Sequence, residues 1–300
     1  MKKGIVLGLL LISLSGCRVI TSAPPTEMPT SPPPTPTTAP SATPAPILPT
    51  STPTMLPTAT STSQPVVIEQ PEVIDIQYPF TTGKVPPTGF TIQGMADPTF
   101  EQNLVIRLVD MDGNEILLRP TTIQADIGMR GLFSQQLEFN EKLSTNAMLQ
   151  VFSHSVKDGS LEHLNSRMLT FDAEPDAPKD LFPQTEKILI TDLRVGQVNT
   201  RLELQAEGVA VGIFENTLEF KLCGEGGIGT SDFVCGGADN VITSGVVQVN
   251  APDVGQPGTF SIRAEIPNGK WKTGRLVVYA TSVANGEIEH ASSAIIKNGP

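Results

Sequence analysis

The sequence contains one β-rich pattern twice, and this duplication constrains the fold more than any other feature. Residues 100–108 are echoed by residues 214–222, and residues 149–156 are echoed by residues 276–283. Each copy is about 110 residues long, which is the usual size of one domain. The spacing between the copies becomes longer after Leu222, so the second copy carries an insertion at that point. We therefore predict two tandem domains of the same type.

Within each copy the pattern is that of short β-strands separated by tight turns. From residue 104 to residue 109 an apolar set, Leu104, Ile106 and Leu108, alternates with a second set, Val105, Arg107 and Val109. This period of two is typical of strands. Asp112-Gly113 follows and favours the positive φ angles of a hairpin turn. We find no amphipathic helix of convincing length. The sequence predicts an all-β protein of two immunoglobulin-like β-sandwiches, at 71–174 and 186–297, with a short linker at 175–185.

A phenylalanine–glutamate pair stands at the same place in both copies, as Phe100-Glu101 and Phe214-Glu215. We expect each phenylalanine to enter the core at the start of a strand. We expect each glutamate to hold the neighbouring loop in place.

The N-terminus predicts export. Two lysines precede an apolar run, residues 4–14, that is too short to span a bilayer as a helix. Residues 14–17, Leu-Ser-Gly-Cys, resemble the lipobox of bacterial lipoproteins, in which the cysteine is acylated and the preceding peptide is removed. The resemblance implies a signal peptide at 1–16 and lipidation of Cys17. The alternative is an ordinary secretory signal in which Cys17 is incidental.

A long segment after the signal has the composition of a disordered linker. Pro, Thr, Ser and Ala dominate from Ser22 to Pro65, and Glu27 is the only charged residue there. Such a segment cannot bury enough apolar surface to offset the entropy lost on ordering. We predict a disordered linker over 17–70 that holds the folded part away from the membrane.

The overall charge restricts the partners. The net charge is −11 at pH 7, and an acidic surface repels phosphate backbones and anionic headgroups. We therefore expect no nucleic-acid partner. The membrane contact would come from the lipid on Cys17, which places the protein at the extracytoplasmic face of the cell membrane.

The insertion in the second copy contains a glycine-rich loop bounded by Cys223 and Cys235. In an exported protein such a pair should oxidise, and a bridge across a loop of this length stabilises a fold by about 3 kcal/mol. We predict a disulfide that acts as a local staple within the second domain. A metal site is the alternative, but no second cysteine pair or nearby histidine completes it. We expect no metal and no other cofactor.

Several segments of the first copy, GFTIQGMA, FEQNLVIRLVDMDGNEI, GLFSQQLEF and LQVFSHSVKDGS, resemble the immunoglobulin-like domain of bacterial spore germination. The segments GIFENTLEFKL, GTFSIRAEI and LVVYATSVANGEIEHAS of the second copy resemble the same family, with the cysteine loop as a departure. The resemblance implies an extracytoplasmic all-β module without catalysis, often found in lipoproteins, and a role related to germination.

The sequence offers few catalytic candidates. His163 and His290 each follow a glutamate at matching positions of the two copies. Polar contacts at strand ends explain the match most simply, and a paired functional role is the alternative. Ser153 and His154 are adjacent on a strand, so their side chains point to opposite faces and cannot form a nucleophile–base pair unaided. Residues 110–115 fit a hairpin better than a calcium loop. We predict no catalytic residues and no enzyme.

These observations predict a non-enzymatic, lipid-anchored envelope protein that presents tandem immunoglobulin-like domains for protein interaction or envelope structure. The alternative is a lipoprotein that binds cell-wall glycan. Glycan sites usually need exposed aromatic platforms, and the candidates are Trp271, Tyr78 and Tyr279. Because so few are available, protein interaction is the favoured function.

Overall fold

The computed structural model describes most of the chain beyond the predicted linker, in the ranges 66–80, 82–144, 146–177, 184–198, 201–225, 232–267 and 272–297. The predicted signal peptide, Cys17, the predicted linker before residue 66 and Trp271 lie outside these ranges. The fold is built of strands, and the helices of the described residues are the short 3-10 turns Phe100–Gln102, Phe214–Asn216 and Ala238–Asn240. The prediction of an all-β protein is confirmed. None of the helices in the described ranges is long and apolar enough to cross a membrane.

The strands fall into two groups that repeat the same order, except that β2 belongs to the first group alone. The first group consists of β1 (Ile74–Tyr78), β2 (Gly83–Val85), β3 (Gly89–Ala96), β4 (Asn103–Asp110), β5 (Glu115–Thr122), β6 (Gly131–Glu138), β7 (Ala147–His154) and β8 (Leu161–Phe171). The second group consists of β9 (Ile188–Val198), β10 (Arg201–Ala210), β11 (Thr217–Gly224), β12 (Val241–Gln248), β13 (Gly258–Ile266), β14 (Thr273–Thr281) and β15 (Ile288–Lys297).

The strands form one large and two small sheets. The large sheet, which we call the shared sheet, has nine strands in the order β12-β11-β14-β15-β8-β7-β4-β5, with β2 added in parallel to β8. The small sheets have the orders β1-β3-β6 and β13-β10-β9. Each small sheet packs on its own half of the shared sheet, so the chain forms two open sandwiches that have one sheet in common.

Each sandwich encloses its own apolar core. In the first sandwich, Ile92 and Phe133 of the small sheet pack with Ile106 and Leu149 of the shared sheet. In the second, apolar residues of β10 and β13 pack in the same way with residues of β11 and β14. The alternation of apolar residues along these strands produces this arrangement, because every second side chain points into the space between the sheets.

The two halves of the shared sheet are joined by the antiparallel pairing of β8 with β15. Leu164 lies opposite Ala291, with Asn165 opposite His290 and His163 opposite Ser292. β8 and β15 are the last strands of the two copies, and Leu164 and Ala291 hold the same position in each. The pairing is therefore symmetric, and a pseudo-two-fold axis passes through it. We call this region the junction.

One glycine in each sandwich allows an aromatic ring to pack directly against the backbone. A Cβ atom added at Gly94 would lie 2.3 Å from the carbonyl oxygen of Asp75 and 2.4 Å from Cζ of Phe133. At Gly208, the equivalent position of the second sandwich, an added Cβ atom would lie 2.3 Å from Cζ of Phe260. Since the obstructing atoms include backbone and a core ring, neither site can accommodate a methyl group without displacement.

We predict that Gly94→Ala and Gly208→Ala each lower the free energy of unfolding by about 1–3 kcal/mol, the usual range for overpacking a core. The measurement is equilibrium unfolding in urea. Gly196→Ala is the matched control, because its added Cβ atom would lie 3.5 Å from the nearest side-chain atom. A loss of stability at Gly196 as large as that at Gly94 would contradict the packing argument.

Candidate functional site

The junction contains a layer of buried polar side chains in the space between the two small sheets. His163 and Asn165 of β8 lie on one face of the shared sheet, because side chains alternate along a strand. Their partners Ser292 and His290 on β15 lie on the same face. The Asn165 side chain donates a hydrogen bond to the carbonyl oxygen of Ile74 at 2.6 Å, so β1 covers part of this face.

Arg167 ties three elements of the junction together. Its side chain is 3% exposed. The guanidinium group donates to the carbonyl oxygen of Ile76 at 3.0 Å and to the side-chain oxygen of Gln184 at 2.6 Å. It also donates to the side-chain oxygen of Asn165 at 2.9 Å. Arg167 therefore holds β8, β1 and the end of the predicted linker in one arrangement.

Two buried glutamates, Glu72 and Glu186, lie at the centre of the layer. They hold equivalent positions of the two copies, directly before β1 and β9. Their backbones belong to a short antiparallel ladder, in which the Glu72 N–H donates to Gln184 O and the Glu186 N–H donates to Gln70 O, both at 2.8 Å. Each residue is 3% exposed. Sequence analysis missed both, although their matching positions before equivalent strands were a usable signal.

Burial raises the pKa of both glutamates to about 8. The charge of Glu72 raises the pKa of Glu186 further, whereas the positive charges of Arg167 and Lys187 lower the pKa of Glu72. Two ionised carboxylates in one buried site repel each other, so the pair retains a proton at neutral pH. Burial and mutual repulsion thus favour the protonated form of these two carboxyl groups at neutral pH.

The two matched histidines lie in the same layer, and both are neutral. Burial, assisted by the positive charge of Arg275, lowers the pKa of His163 to about 4. Burial, assisted by the charges of Arg167 and Lys187, lowers the pKa of His290 to about 3. Both histidines stand third in their strands, near the strand ends as expected, and the pairing of β8 with β15 buries them in the junction, where His290 Nδ1 lies 3.8 Å from Glu72 Oε1.

A cleft of about 370 Å³ opens on one side of the junction. It is lined by Glu162 and His163 of the first sandwich and by Arg275 of the second, and Arg275 donates to Glu162 at 3.0 Å. Ser153 lies opposite His163 in the ladder and lines the same cleft. Within the described part of the chain, neither Ser153 Oγ nor His163 Nδ1 has a hydrogen-bond partner. The serine and the histidine are therefore not arranged as a nucleophile and its base.

A second cleft, also of about 370 Å³, is related to the first by the pseudo-two-fold axis. It is lined by Glu289 and His290, and Met148 stands where the first cleft has Arg275. Arg167 and Lys187 complete its wall. The repeated Glu-His pair therefore lines one cleft on each side of the junction.

The cysteine loop covers the opposite face of the junction. Cys223 and Cys235 form a disulfide with a Cα–Cα distance of 5.2 Å, and both residues are buried. The loop contacts the first sandwich: Val234 O accepts a hydrogen bond from the Leu161 N–H at 2.7 Å. The ring of Phe233 packs at 5.1 Å from that of Phe152. The bridge closes a short loop within the second domain, as expected, and Phe233 and Val234 beside it also contact the first sandwich.

Both phenylalanine–glutamate pairs form solvent-exposed turns, and the expectation of core phenylalanines is also wrong. Phe100 and Phe214 are 56% and 51% exposed. The next residues, Glu101 and Glu215, have φ angles of 53° and 52°. This left-handed conformation is uncommon for residues other than glycine. It turns the chain sharply before the strand, so the phenylalanine points away from the core. We call these the Phe turns.

The remaining candidates from the sequence are accounted for by packing and turns. The Asp110 carboxylate accepts hydrogen bonds from the backbone N–H groups of Asp112 and Asn114, at 2.9 and 2.8 Å, so it closes a hairpin turn. Tyr279 is buried and its hydroxyl donates to Glu219 at 3.2 Å. Tyr78 is half-buried against the ring of Phe80. In the described ranges, no group of three or more His, Cys, Asp or Glu residues could hold a metal ion.

Comparison with known proteins agrees with the fold of the first sandwich. A family model described as "Immunoglobulin-like domain of bacterial spore germination" matches residues 73–160. This range runs from the residue before β1 to the residue before β8, and the match confirms the resemblance for the first copy. No curated protein matches the chain.

Similar solved structures share little sequence with the chain. Bovine butyrophilin is 9% identical, with 76% of this chain and 99% of butyrophilin covered and a TM-score of 0.23. Red sea bream transglutaminase is 10% identical, with 76% of this chain and 31% of the transglutaminase chain covered and a TM-score of 0.25.

We predict that the contribution of the buried glutamate pair to stability falls as the pH rises from about 4.5 towards 8, because the folded chain keeps protons on these carboxyl groups that the unfolded chain releases. Glu72→Gln removes the share of this linkage that belongs to Glu72, whereas Glu186, whose pKa is raised mainly by its own burial, keeps its share. The difference in the free energy of unfolding between the variant and the parent should therefore shift by about 2 kcal/mol in favour of the variant when the pH is raised from 5 to 8.5. The measurement is denaturant unfolding of both proteins at both pH values. Glu141→Gln, on the exposed surface, is the control and should follow the parent. The same pH slope in Glu72→Gln would contradict the assignment.

The histidines should produce the opposite slope at lower pH. Their folded pKa values lie below the ordinary value of 6.5, so the unfolded chain takes up protons that the folded chain does not. This contribution to stability is present above pH 6.5 and is lost as the pH falls towards 4. We expect a single stability maximum on the weakly acidic side of neutrality.

We predict that replacing both Cys223 and Cys235 by alanine lowers the free energy of unfolding by about 3 kcal/mol. Hydrogen exchange at the Leu161 amide should also become faster, because its acceptor Val234 O belongs to the loop. Alkylation of the denatured, unreduced protein from residue 18 onward should label neither cysteine. Labelling of both would show that the bridge is not formed.

Proposed function

We propose that this chain is a non-enzymatic protein-interaction module, held at the extracytoplasmic face of the cell membrane by a lipid on Cys17. The immunoglobulin-like match over residues 73–160 supports an interaction module. The lipobox-like sequence before Cys17 supports the anchor, and the proline-rich linker supports a position away from the membrane surface.

The pair of Phe turns is the observation that carries this proposal. In the first sandwich, the Gln102 side chain donates to Asp126 O at 2.7 Å and to Met129 O at 3.2 Å. The turn is thereby fixed against the loop that leads into β6. This loop carries further exposed apolar side chains, Ile127 and Met129. Large apolar side chains held rigidly in solvent are typical of protein-binding surfaces.

The second sandwich repeats this arrangement. The Asn216 side chain donates to Asp253 O at 3.5 Å, and Val254 is exposed where the first sandwich has Ile127. A left-handed conformation at residues other than glycine costs of order 1–3 kcal/mol each, and the side chains that follow, Gln102 and Asn216, hold it in place by hydrogen bonds. Its presence in both sandwiches favours a role for the exposed phenylalanines.

The two Phe turns point to opposite ends of the shared sheet. β4 runs parallel to β8 and β11 runs parallel to β15, because each pair is separated by one antiparallel neighbour. β8 and β15 are antiparallel to each other. The turns that precede β4 and β11 therefore lie at opposite ends, and the module can contact two partners at once. We infer that it bridges envelope proteins.

Several titratable groups of the junction are buried where the two sandwiches meet. Burial raises the pKa values of the Glu72 and Glu186 carboxyl groups and lowers those of the two histidines, so that all four are predominantly neutral at pH 7. Arg275 is paired with Glu162. These groups hold the two sandwiches together, and no converging acid, base and nucleophile lies among the residues that the structure describes.

Site-specific photo-crosslinking in intact cells tests the interaction function. A photoreactive phenylalanine analogue at position 100 or 214 should form crosslinks to envelope proteins. The same analogue at Leu118, an apolar residue that is 44% exposed on β5, is the control. Crosslinking no stronger at positions 100 and 214 than at Leu118 would contradict the proposal. Sedimentation with peptidoglycan, lost on Trp271→Ala, would support glycan binding instead.

Metabolic labelling with palmitate tests the anchor. Label should be incorporated into the parent chain and lost in Cys17→Ser, because the lipobox cysteine is the acylated residue in lipoproteins. Persistence of the label in Cys17→Ser would place the lipid elsewhere and contradict this part of the proposal.

A further inference from the structure

The shared sheet ends in two edge strands that differ in their protection. β5 forms one edge and β12 forms the other. Edge strands expose backbone N–H and C=O groups that can pair with another strand, and proteins usually block them with charges or proline. β5 follows this rule, because it contains Glu115, Arg119 and Pro120. β12 has the sequence VITSGVVQ, with no charged residue and no proline.

The two edge strands occupy equivalent places, so they can be compared residue by residue. Pro120 lies opposite Val105 on β4, and Val246 lies opposite Glu219 on β11. Val105 and Glu219 are equivalent positions of the two copies, and the ladders are interrupted at the same place, after Leu108 and after Leu222. Val246 therefore stands where the first sandwich has Pro120.

This equivalence indicates on which side of β12 the backbone N–H group of Val246 lies. A proline has no N–H, so in a sheet it is tolerated where that group would face away from the neighbouring strand. Pro120 accordingly has its nitrogen on the outer side of β5, and the register gives Val246 an N–H group on the outer side of β12. The Val246 side chain is 64% exposed. β12 thus presents an outward donor and an exposed β-branched side chain at the same point.

We propose that the outer edge of β12 pairs with the same edge of a second copy of this chain, as an antiparallel, two-fold symmetric interface. Self-pairing would bring no ionisable group of residues 241–248 near its counterpart, whereas most of the surface of a chain with a net charge of −11 repels a second copy. A symmetric pair also uses the β12 edge of both chains, so the assembly closes at two copies. The proline-rich segment 22–65 is a poor occupant, because proline cannot complete a ladder.

The pairing of β8 with β15 shows that this fold accepts such an interface. There, equivalent strands of the two copies join edge to edge in antiparallel orientation around a pseudo-two-fold axis. Dimerisation through β12 would extend the shared sheet across two chains. It uses a surface other than the Phe turns, so the proposed interaction function does not depend on it.

Sedimentation velocity over a micromolar concentration series tests this proposal, with the chain from residue 18 onward, which keeps every described residue. The parent protein should form a dimer. Val246→Pro removes the outward N–H and should weaken the dimer by about tenfold or more. Val246→Thr keeps the N–H and the branched shape and should dimerise like the parent. A monomeric parent, or a Val246→Pro dimer of unchanged affinity, would overturn the proposal.

Two further measurements keep the test decisive if Val246→Pro folds poorly. Val246→Lys places a charge at the exposed position and should also give a monomer. This monomer should unfold at the same temperature as the parent does at concentrations where the parent is monomeric. Hydrogen exchange at the Val246 amide should become slower as the concentration of the parent rises, and this dependence should vanish in Val246→Lys. Exchange that is independent of parent concentration would place any dimer contact elsewhere and overturn the proposal.

Discussion

The ladder between β8 and β15 joins the two sandwiches through one continuous sheet. The way in which the two faces of the junction are covered follows from this pairing. Joining the two strands leaves both faces of the sheet at the junction to be covered, since each small sheet extends only over its own half. One face is covered by the cysteine loop, where Phe233 and Val234 join an apolar cluster with Phe152 and Leu164. The other face is covered by the polar layer around Glu72 and its neighbours.

The two faces contribute differently to the fold. The apolar face stabilises the junction by removing side chains such as Leu164 from water. The polar face contributes less net free energy, because each buried charge must be compensated by a partner. Its hydrogen bonds are directional, however, and the contacts of Arg167 with Ile76 and Gln184 fix the position of β8 relative to β1 and the following segment. The apolar face therefore supplies stability and the polar face fixes the alignment.

The sequence predicts the strands well and their long-range partners poorly. Period-two alternation and turn residues identify an all-β fold, and the change of spacing after Leu222 identifies the insertion. The pairing of β8 with β15 carries no local signal, so the interior position of His163 and the contact of the cysteine loop with the first sandwich could not be predicted. The position of Phe100 before a strand predicts a core residue. Its exposure depends on Glu101 adopting a left-handed turn, which Gln102 secures by contacts with a distant loop.

The symmetry of the junction has a consequence for how its two sides can differ. An interface in which Leu164 meets Ala291, and in which Glu72 and Glu186 hold equivalent places, has the form of a contact between two identical subunits. Because both halves belong to one polypeptide, each position can carry a different residue from its counterpart. Met148 and Arg275 differ in this way at the twin clefts, and the cysteine loop stands in one half alone. The junction therefore has the geometry of a homodimer contact without the requirement that its two sides be identical.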